Sequence, residues 1–269
     1  MTLTYSANLI RQHDPDRFLI SLLMPRKHRA ALWALFAFNY EIAKTREVVS
    51  DTTIGLIRLQ WWRDAIKEIY EGAEPRKHEV VTPLAEVIRQ YDLPKELFDN
   101  LIYAREFDLE GVAPANLEGL YNYCSYTNEP LVRLALMILG ETEEEEVIKS
   151  VSTRYSLLGT LRAVPYMLGR RHVMIPQDML SEYDLNPEKI CDFNEKESLV
   201  KIIEKVVIYQ NELRDDRLLI KSKFIHSMNG LSDLYERRLT KFDFNVFDPK
   251  LHAPMPLKPL SIWIRIILK

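Results

Sequence analysis

Apolar residues recur along this chain mostly at the spacing of α-helices. The segment from Arg29 to Ala43, RAALWALFAFNYEIA, is apolar on nearly every side. A helix of this kind has to be surrounded by other helices. From residue 54 to 70 and from 198 to 228, apolar residues instead return every three or four positions. We therefore predict a central helix at residues 29–43 and two amphipathic helical stretches, each packed on one face.

The first amphipathic stretch predicts which of its side chains enter the core. Its apolar face consists of Ile54, Ile57, Trp61, Ala65, Ile66 and Ile69. Trp61 is the largest of these residues, so we expect it to be buried, with Arg63 off the apolar face.

The helical pattern loosens after Lys241. Four prolines at residues 249, 254, 256 and 259 are typical of an extended segment, and the chain closes with the apolar run LSIWIRIIL at residues 260–268. No internal repeat or low-complexity tract marks a boundary before this segment. We predict one domain at residues 1–248, with roughly eight to ten helices of ordinary length, followed by a proline-rich tail with an apolar C-terminal segment at residues 249–269.

Glycine content favours an all-α protein. The chain has 269 residues and contains only 8 glycines. Average usage of about 7% would give roughly 19, so a turn-rich β architecture is disfavoured.

Charge and cysteine content exclude several classes of protein. Lys and Arg number 36 against 39 Asp and Glu, a net charge of −3 that provides no global positive field to gather nucleic acid. The two cysteines, Cys124 and Cys191, lie far apart in the sequence and have no partners at zinc-ligand spacing, which excludes a disulfide scaffold and favours a reducing compartment. The apolar run at residues 18–24 is too short and too closely preceded by mixed charges to predict a signal peptide. No window is apolar enough for a spanning helix, so we expect a soluble or peripheral protein.

Common catalytic motifs are missing from the sequence. It contains no GxxxxGK[ST], GxGxxG, HExxH or GxSxG pattern, and its six histidines are scattered. Phosphate-loop, dinucleotide-binding, zinc-protease and serine-hydrolase interpretations therefore have no support.

The order of several short motifs resembles that of the squalene/phytoene synthase family. The opening motifs are DRFLISLLMP at residues 16–25, RAALWALFAF at 29–38 and WWR at 61–63. Leu93-Pro94, Asp108-Leu109, Tyr123-Cys124, Gly159, Gly169-Arg170 and Ile175-Pro176 follow in the family's order. The resemblance covers about residues 16–217 and implies a single-domain, all-α, isoprenoid-synthase-like helical bundle around a central cavity.

The resemblance also implies where metal ligands should lie. The family joins two prenyl diphosphates head to head, and two facing acidic clusters hold Mg²⁺, a hard cation that needs oxygen ligands. Alignment of the central helix places Ala43, Lys44 and Glu47 at the first cluster, and the second region, GTLRAVPYMLG at residues 159–169, has no acid. We therefore expect no catalytic residue, no metal site and no cofactor.

Two alternative interpretations of the sequence retain a metal site. The chain could be an active prenyl-diphosphate transferase that holds Mg²⁺ through non-standard ligands. Glu212, Asp215 and Asp216 superficially offer acids one helical turn apart, but the interleaved Arg214 and Arg217 favour a solvated, self-paired face instead.

The departures from the family pattern resemble one branch of the family. FNYEIA at residues 38–43, SDTTIGLIRLQ at 50–60, LRAVPY at 161–166 and the pair Arg170-Arg171 are similar to a branch that assists early assembly of respiratory complex I (NADH dehydrogenase). This implies a catalytically degenerate assembly or scaffold factor whose partners are complex I subunits or assembly intermediates. Its expected location is cytoplasmic, at the periphery of a bacterial inner membrane, or on the matrix side of a mitochondrion.

Two groups of residues are candidates for a ligand site. Asn39, Tyr40 and Glu41 could be a remnant polar pocket in the central helix, or Glu41 could simply pair with Lys44 or Arg162. The second group consists of Arg162, Tyr166, Arg170 and Arg171. Its guanidinium groups suit the phosphate of an isoprenoid or lipid ligand, but cations near the C-terminus of a helix would also satisfy its carbonyl groups.

The apolar end of the tail has three predicted fates. It could lie in a membrane interface with Trp263 at headgroup depth, dock on a client, or pack back onto the domain. A peripheral membrane contact would use Leu260, Ile262, Trp263, Ile264 and Ile266.

Overall fold

A computed structural model describes residues 4–214 and 218–267 of the chain. Its helices are α1 Tyr5–His13, α2 Pro15–Leu23, α3 Arg29–Ala43, α4 Thr45–Val48, α5 Thr52–Tyr70, α6 Val81–Tyr91, α7 Lys95–Ala104, α8 Glu106–Glu110, α9 Leu117–Leu139, α10 Glu145–Leu168, α11 Gln177–Glu182, α12 Pro187–Cys191, α13 Lys196–Glu212, α14 Lys223–Lys241, α15 Pro249–His252 and α16 Lys258–Ile267, with one 3₁₀ turn at Arg26–His28.

The all-α prediction is confirmed, since no β-strand occurs in the described residues. The sixteen α-helices of that part of the chain exceed the predicted eight to ten, because several segments are short helices of four to six residues. The chain divides into two compact units. The first unit contains residues 4–110, 126–144 and 221–224, and the second contains the other described residues, including the predicted tail.

Helix α3 is the centre of the first unit, as the sequence predicts. It contacts α1, α2 and α6. Ten of its fifteen residues are buried, among them Leu35, Phe36 and Phe38. Phe38 makes edge contacts with the rings of Trp62 and Phe98, at centroid distances of 5.5 Å and 5.4 Å. Other helices therefore cover most of this apolar helix.

The predicted buried face of α5 is partly wrong. Ile54 and Ile57 are 52% and 65% exposed, and Trp61 is half-buried. The buried stripe instead runs through Gly55, Leu59, Trp62, Ala65, Ile66 and Ile69.

A close approach of α8 explains the shift. A Cβ atom at Gly55 would lie 2.6 Å from Cδ2 of Leu109, so the glycine is where α8 packs against α5. The hydroxyl of Thr52 also donates to the carbonyl of Leu109. A glycine carries no apolar signal, so the hydrophobic pattern assigned that position to the wrong face.

The predicted stretch at residues 198–228 is two helices. Helix α13 ends at Glu212, and α14 begins at Lys223. Acidic residues that follow α9 hold the start of α14, because the Glu143 carboxylate accepts from the backbone amides of Lys221 and Ser222 and Glu141 accepts from the Ser222 hydroxyl. Asp215, Asp216 and Arg217 lie outside the described residues.

The tail is helical where an extended segment was predicted. Helix α16 starts at Lys258, directly before Pro259, a position at which proline's missing amide costs no helical hydrogen bond. Ile262 is 1% exposed. The Lys258 ammonium lies 3.0 Å from the Tyr235 hydroxyl of α14. No helix among the described residues is both long and apolar enough to cross a bilayer.

Candidate functional site

The first unit contains a buried ion-pair network at the C-terminal end of α3. The Glu41 carboxylate is 2.5 Å from the Lys44 ammonium and 2.9 Å from the Arg58 guanidinium. Glu41 itself is 5% exposed. The predicted pairing with Lys44 is confirmed, and Arg58 is a partner that the sequence did not indicate. Because the Lys44 and Arg58 cations pair with the Glu41 carboxylate, its charge is neutralised and it is not left to bind a third cation.

Two other predicted residues, Asn39 and Tyr40, precede Glu41 on α3. The Tyr40 ring stacks on His13 at 4.6 Å, and the Lys44 ammonium lies 5.0 Å from the Tyr40 ring centroid. Asn39 is 6% exposed, and its side-chain oxygen is buried without a hydrogen-bond partner in the part of the chain that the structure describes. Partial burial raises the pKa of the Tyr5 hydroxyl, and the negative charges of Glu41 and Glu79 raise it further.

The positions that we predict to stand in place of the family's first metal cluster do not fit Mg²⁺. Helix α3 ends at Ala43, which has no donor atom, and the chain turns at Lys44 before α4 begins. The Lys44 side chain is a cation engaged with Glu41. Glu47 is an exposed carboxylate on the following short helix. Mg²⁺ needs an octahedral set of oxygen ligands, and these three positions supply one carboxylate.

The second unit brings two of the four predicted ligand residues to one cavity. This cavity of about 400 Å³ is lined by Gly159, Arg162, Ala163, Pro165, Tyr166 and His252. The Arg162 guanidinium lies 3.4 Å from the centroid of the Tyr235 ring, a cation–π contact that fixes its plane. The His252 ring nitrogen Nε2 bonds to the Val246 carbonyl at 2.7 Å.

The other two arginines separate. The Arg170 guanidinium lies 4.8 Å from the Tyr166 ring, so it borders the cavity. Arg171 adopts a left-handed backbone with φ 53° and pairs with Asp192 at 3.1 Å on an exposed surface. Of the predicted four-residue cluster, Arg162 and Tyr166 therefore line the cavity, Arg170 contacts the Tyr166 ring, and Arg171 belongs to a separate ion pair.

The region predicted for the second metal cluster has no acidic side chain. No carboxylate occurs between Gly159 and Gly169, and the nearby cations would repel Mg²⁺. Across the described residues, no group of three His, Cys, Asp or Glu side chains is arranged to hold a metal ion.

Sequence reasoning missed a buried arginine in α10. Arg154 is 2% exposed, and its guanidinium lies 2.8 Å from the Asp233 carboxylate and 2.5 Å from the Glu236 carboxylate of α14. It also donates to the side-chain oxygen of Asn229 at 2.8 Å. The signal was present, because Arg154 occupies a stripe at helical spacing between the buried Val151 and Leu158.

Comparison with known proteins identifies the family. The sequence model described as squalene/phytoene synthase matches residues 10–216. The chain belongs to the squalene/phytoene synthase family. A dehydrosqualene synthase crystal structure shares the fold, with a TM-score of 0.73 and 15% identity over 98% of this chain and 94% of that chain.

The relatives within this family match the chain over different lengths. The Bos taurus protein named NADH dehydrogenase (ubiquinone) complex I, assembly factor 6 is 30% identical over 97% of this chain and 80% of its own length. The Zea mays protein named phytoene synthase 1, chloroplastic is 24% identical over 64% of this chain and 44% of its own length. The similarity to the assembly factor therefore reaches almost the whole chain, whereas the similarity to the synthase stops short of it.

Proposed function

We propose that this chain is a scaffold with the squalene/phytoene synthase fold that assists assembly of respiratory complex I and does not catalyse prenyl transfer. The observation that carries the proposal is the match to a complex I assembly factor over 97% of the chain, against 64% for a phytoene synthase. The partners under this proposal are complex I subunits or assembly intermediates.

The donor groups at the two motif regions support the non-catalytic part of the proposal. Metal-assisted departure of diphosphate requires carboxylates that hold Mg²⁺ against its oxygens. In this chain Glu41 is matched by Lys44 and Arg58, and the Arg162 cavity has no acid among its lining residues. An isoprenoid or lipid phosphate in the Arg162 cavity stays a prediction, supported by the fixed guanidinium and the phenol of Tyr166.

We place the protein at the surface of the membrane in which complex I is built, on the cytoplasmic side in a bacterium or the matrix side in a mitochondrion. Support comes from α16, on which Leu260, Trp263 and Ile264 are 49%, 52% and 40% exposed. Ile262, one of the predicted contact residues, is instead buried. The side chain of Ile266 lies outside the described residues.

Deletion of the encoding gene in its native host tests the assembly role. We expect less fully assembled complex I on native gels stained for NADH dehydrogenase activity, with recovery when the wild-type chain is expressed from a plasmid. The decisive control is the deletion strain expressing an authentic squalene synthase. Recovery with that enzyme would mean that an isoprenoid product was missing, and it would contradict the scaffold proposal.

A further inference from the structure

A second cavity in the second unit combines positive charge with apolar walls. It measures about 440 Å³ and lies between the C-terminal half of α14 and the segment that leads into α16. Its lining residues are Leu234, Arg237, Arg238, Lys241, Phe242, Pro254, Met255, Pro256, Leu257, Lys258 and Ser261. Four of them are cations and none is an acid. We refer to it as the basic cavity.

Two cations of the basic cavity, Arg238 and Lys241, have donor groups that the described residues do not use. Arg238 donates one guanidinium nitrogen to the Lys250 carbonyl, while its Nε atom is buried and has no hydrogen-bond partner among the described residues. Lys241 contacts only the face of the Phe242 ring, at 5.9 Å, among the interactions of the described chain. The dipole of α14 accounts for cations in its last turn, Arg238 and Lys241. It does not account for Lys258, which approaches from the other wall.

The apolar surface beside the basic cavity selects the type of anion. Leu257, which lines the cavity, is 68% exposed, and α16 continues directly from it with Leu260, Trp263 and Ile264 also exposed. A small soluble phosphate would not need this surface. A phospholipid would use both parts, since its phosphate meets the cations and its acyl region meets the apolar face of an interfacial helix.

We infer that the basic cavity binds the phosphate headgroup of an anionic phospholipid while the exposed face of α16 enters the bilayer interface. The inference deepens the proposed membrane contact and rests on it. Because the chain as a whole carries a net charge of −3, attraction to an anionic surface has to come from a local cluster. Each Lys or Arg close to such a surface contributes about 1 kcal/mol, so two of them account for more than a tenfold change in binding.

Vesicle sedimentation with the purified full chain tests this inference. We expect binding to phosphatidylcholine vesicles that contain phosphatidylglycerol, little binding to phosphatidylcholine alone, and loss of binding at high salt. The double variant Arg237→Gln/Lys241→Gln should bind at least about tenfold more weakly. The matched control is Lys189→Gln/Lys201→Gln, which makes the same change in net charge on exposed positions of the same unit and should bind like wild type.

Further arms identify the source of the phosphate and the role of α16. Trp263 fluorescence should shift to shorter wavelength with anionic vesicles, with Trp263→Phe as the reference that subtracts the other tryptophans. Glycerol 3-phosphate, tested by calorimetry, should bind far more weakly than the vesicles.

Three results would overturn the site: equal losses in both double variants, unchanged binding in Arg237→Gln/Lys241→Gln, or tight binding of glycerol 3-phosphate without vesicle binding. A folded variant that loses vesicle binding but restores complex I in the deletion strain would separate this site from the assembly role. Failure of the wild-type chain to restore complex I, with vesicle binding intact, would contradict the assembly role alone.

Discussion

At the scale of single residues, the buried charges are the positions where one substitution should matter most. Arg154 is enclosed by two carboxylates and an amide oxygen. Removing Arg154 takes the closest cation from both carboxylates, although Asp233 also lies 3.7 Å from Arg214 and Glu236 accepts from the Asn211 amide. Breaking such a group costs more than the intact group contributes. The same reasoning applies to Glu41, whose carboxylate pairs with two cations.

We therefore expect Arg154→Met to lower the free energy of unfolding by about 3 to 5 kcal/mol, measured by urea denaturation. The Asp233 and Glu236 carboxylates would lose their shared partner in a setting where each is only 18% exposed. Lys67→Ala is the control, since the Lys67–Glu71 pair is more than half exposed and should change stability by no more than about 1 kcal/mol. Equal effects of the two substitutions would show that Arg154 is not a buried partner.

The adjacent tryptophans Trp61 and Trp62 give a second residue-scale prediction. Trp62 is 1% exposed, so Trp62→Ala should cost about 3 to 5 kcal/mol in the free energy of unfolding. Trp61 is half-buried and lies 5.1 Å from the Arg76 guanidinium, so Trp61→Ala should cost no more than about 2 kcal/mol. The opposite order in denaturant titrations would restore the orientation of α5 that the hydrophobic pattern predicted.

At the scale of elements, the sequence predicted helices whose burial follows from their apolar side chains. It did not predict packing that depends on close contact with the backbone. Helix α3 was predictable because its apolar residues surround it. The face of α5 was not, because Gly55 marks a helix contact by having no side chain. Helix α16 was missed because prolines suggest an extended chain, although a proline in the first turn is compatible with a helix.

Two helical glycines provide a matched test of these contacts. Gly159 in α10 has open space around its Cβ position, so Gly159→Ala should stabilise the protein by about 0.5 to 1 kcal/mol through helix propensity. Gly55→Ala brings the same gain in propensity but forces a methyl group against the buried Leu109, at an expected cost of about 1 to 3 kcal/mol. Thermal unfolding of both variants should move in opposite directions. A stabilising Gly55→Ala would mean that α8 does not press on α5.

At the scale of the whole molecule, the sequence predicted the family and the all-α fold better than it predicted which residues meet. Family motifs and residue types can be read from the order of residues alone. The grouping of Arg162 and Tyr166 with His252 depends on the position of α15, which no local pattern encodes. The basic cavity likewise combines α14 with a segment that the sequence assigned to an extended tail.

The proposed absence of prenyl transfer is a prediction for the whole molecule, because the family resemblance implies that this reaction needs two metal clusters from distant parts of the chain. Purified protein with Mg²⁺ and farnesyl or geranylgeranyl diphosphate should form no squalene or phytoene above a no-protein blank, assayed beside an active squalene synthase. Ala43→Asp/Lys44→Asp should not restore turnover. The new carboxylates would stand beside Glu41 after its Lys44 partner is removed, and residues 159–169 would still offer no acid. Product from the wild-type chain would contradict the proposed loss of catalysis and favour an active transferase with other metal ligands. Product from the double variant alone would show that the second region still holds diphosphate, so that only the first cluster was missing.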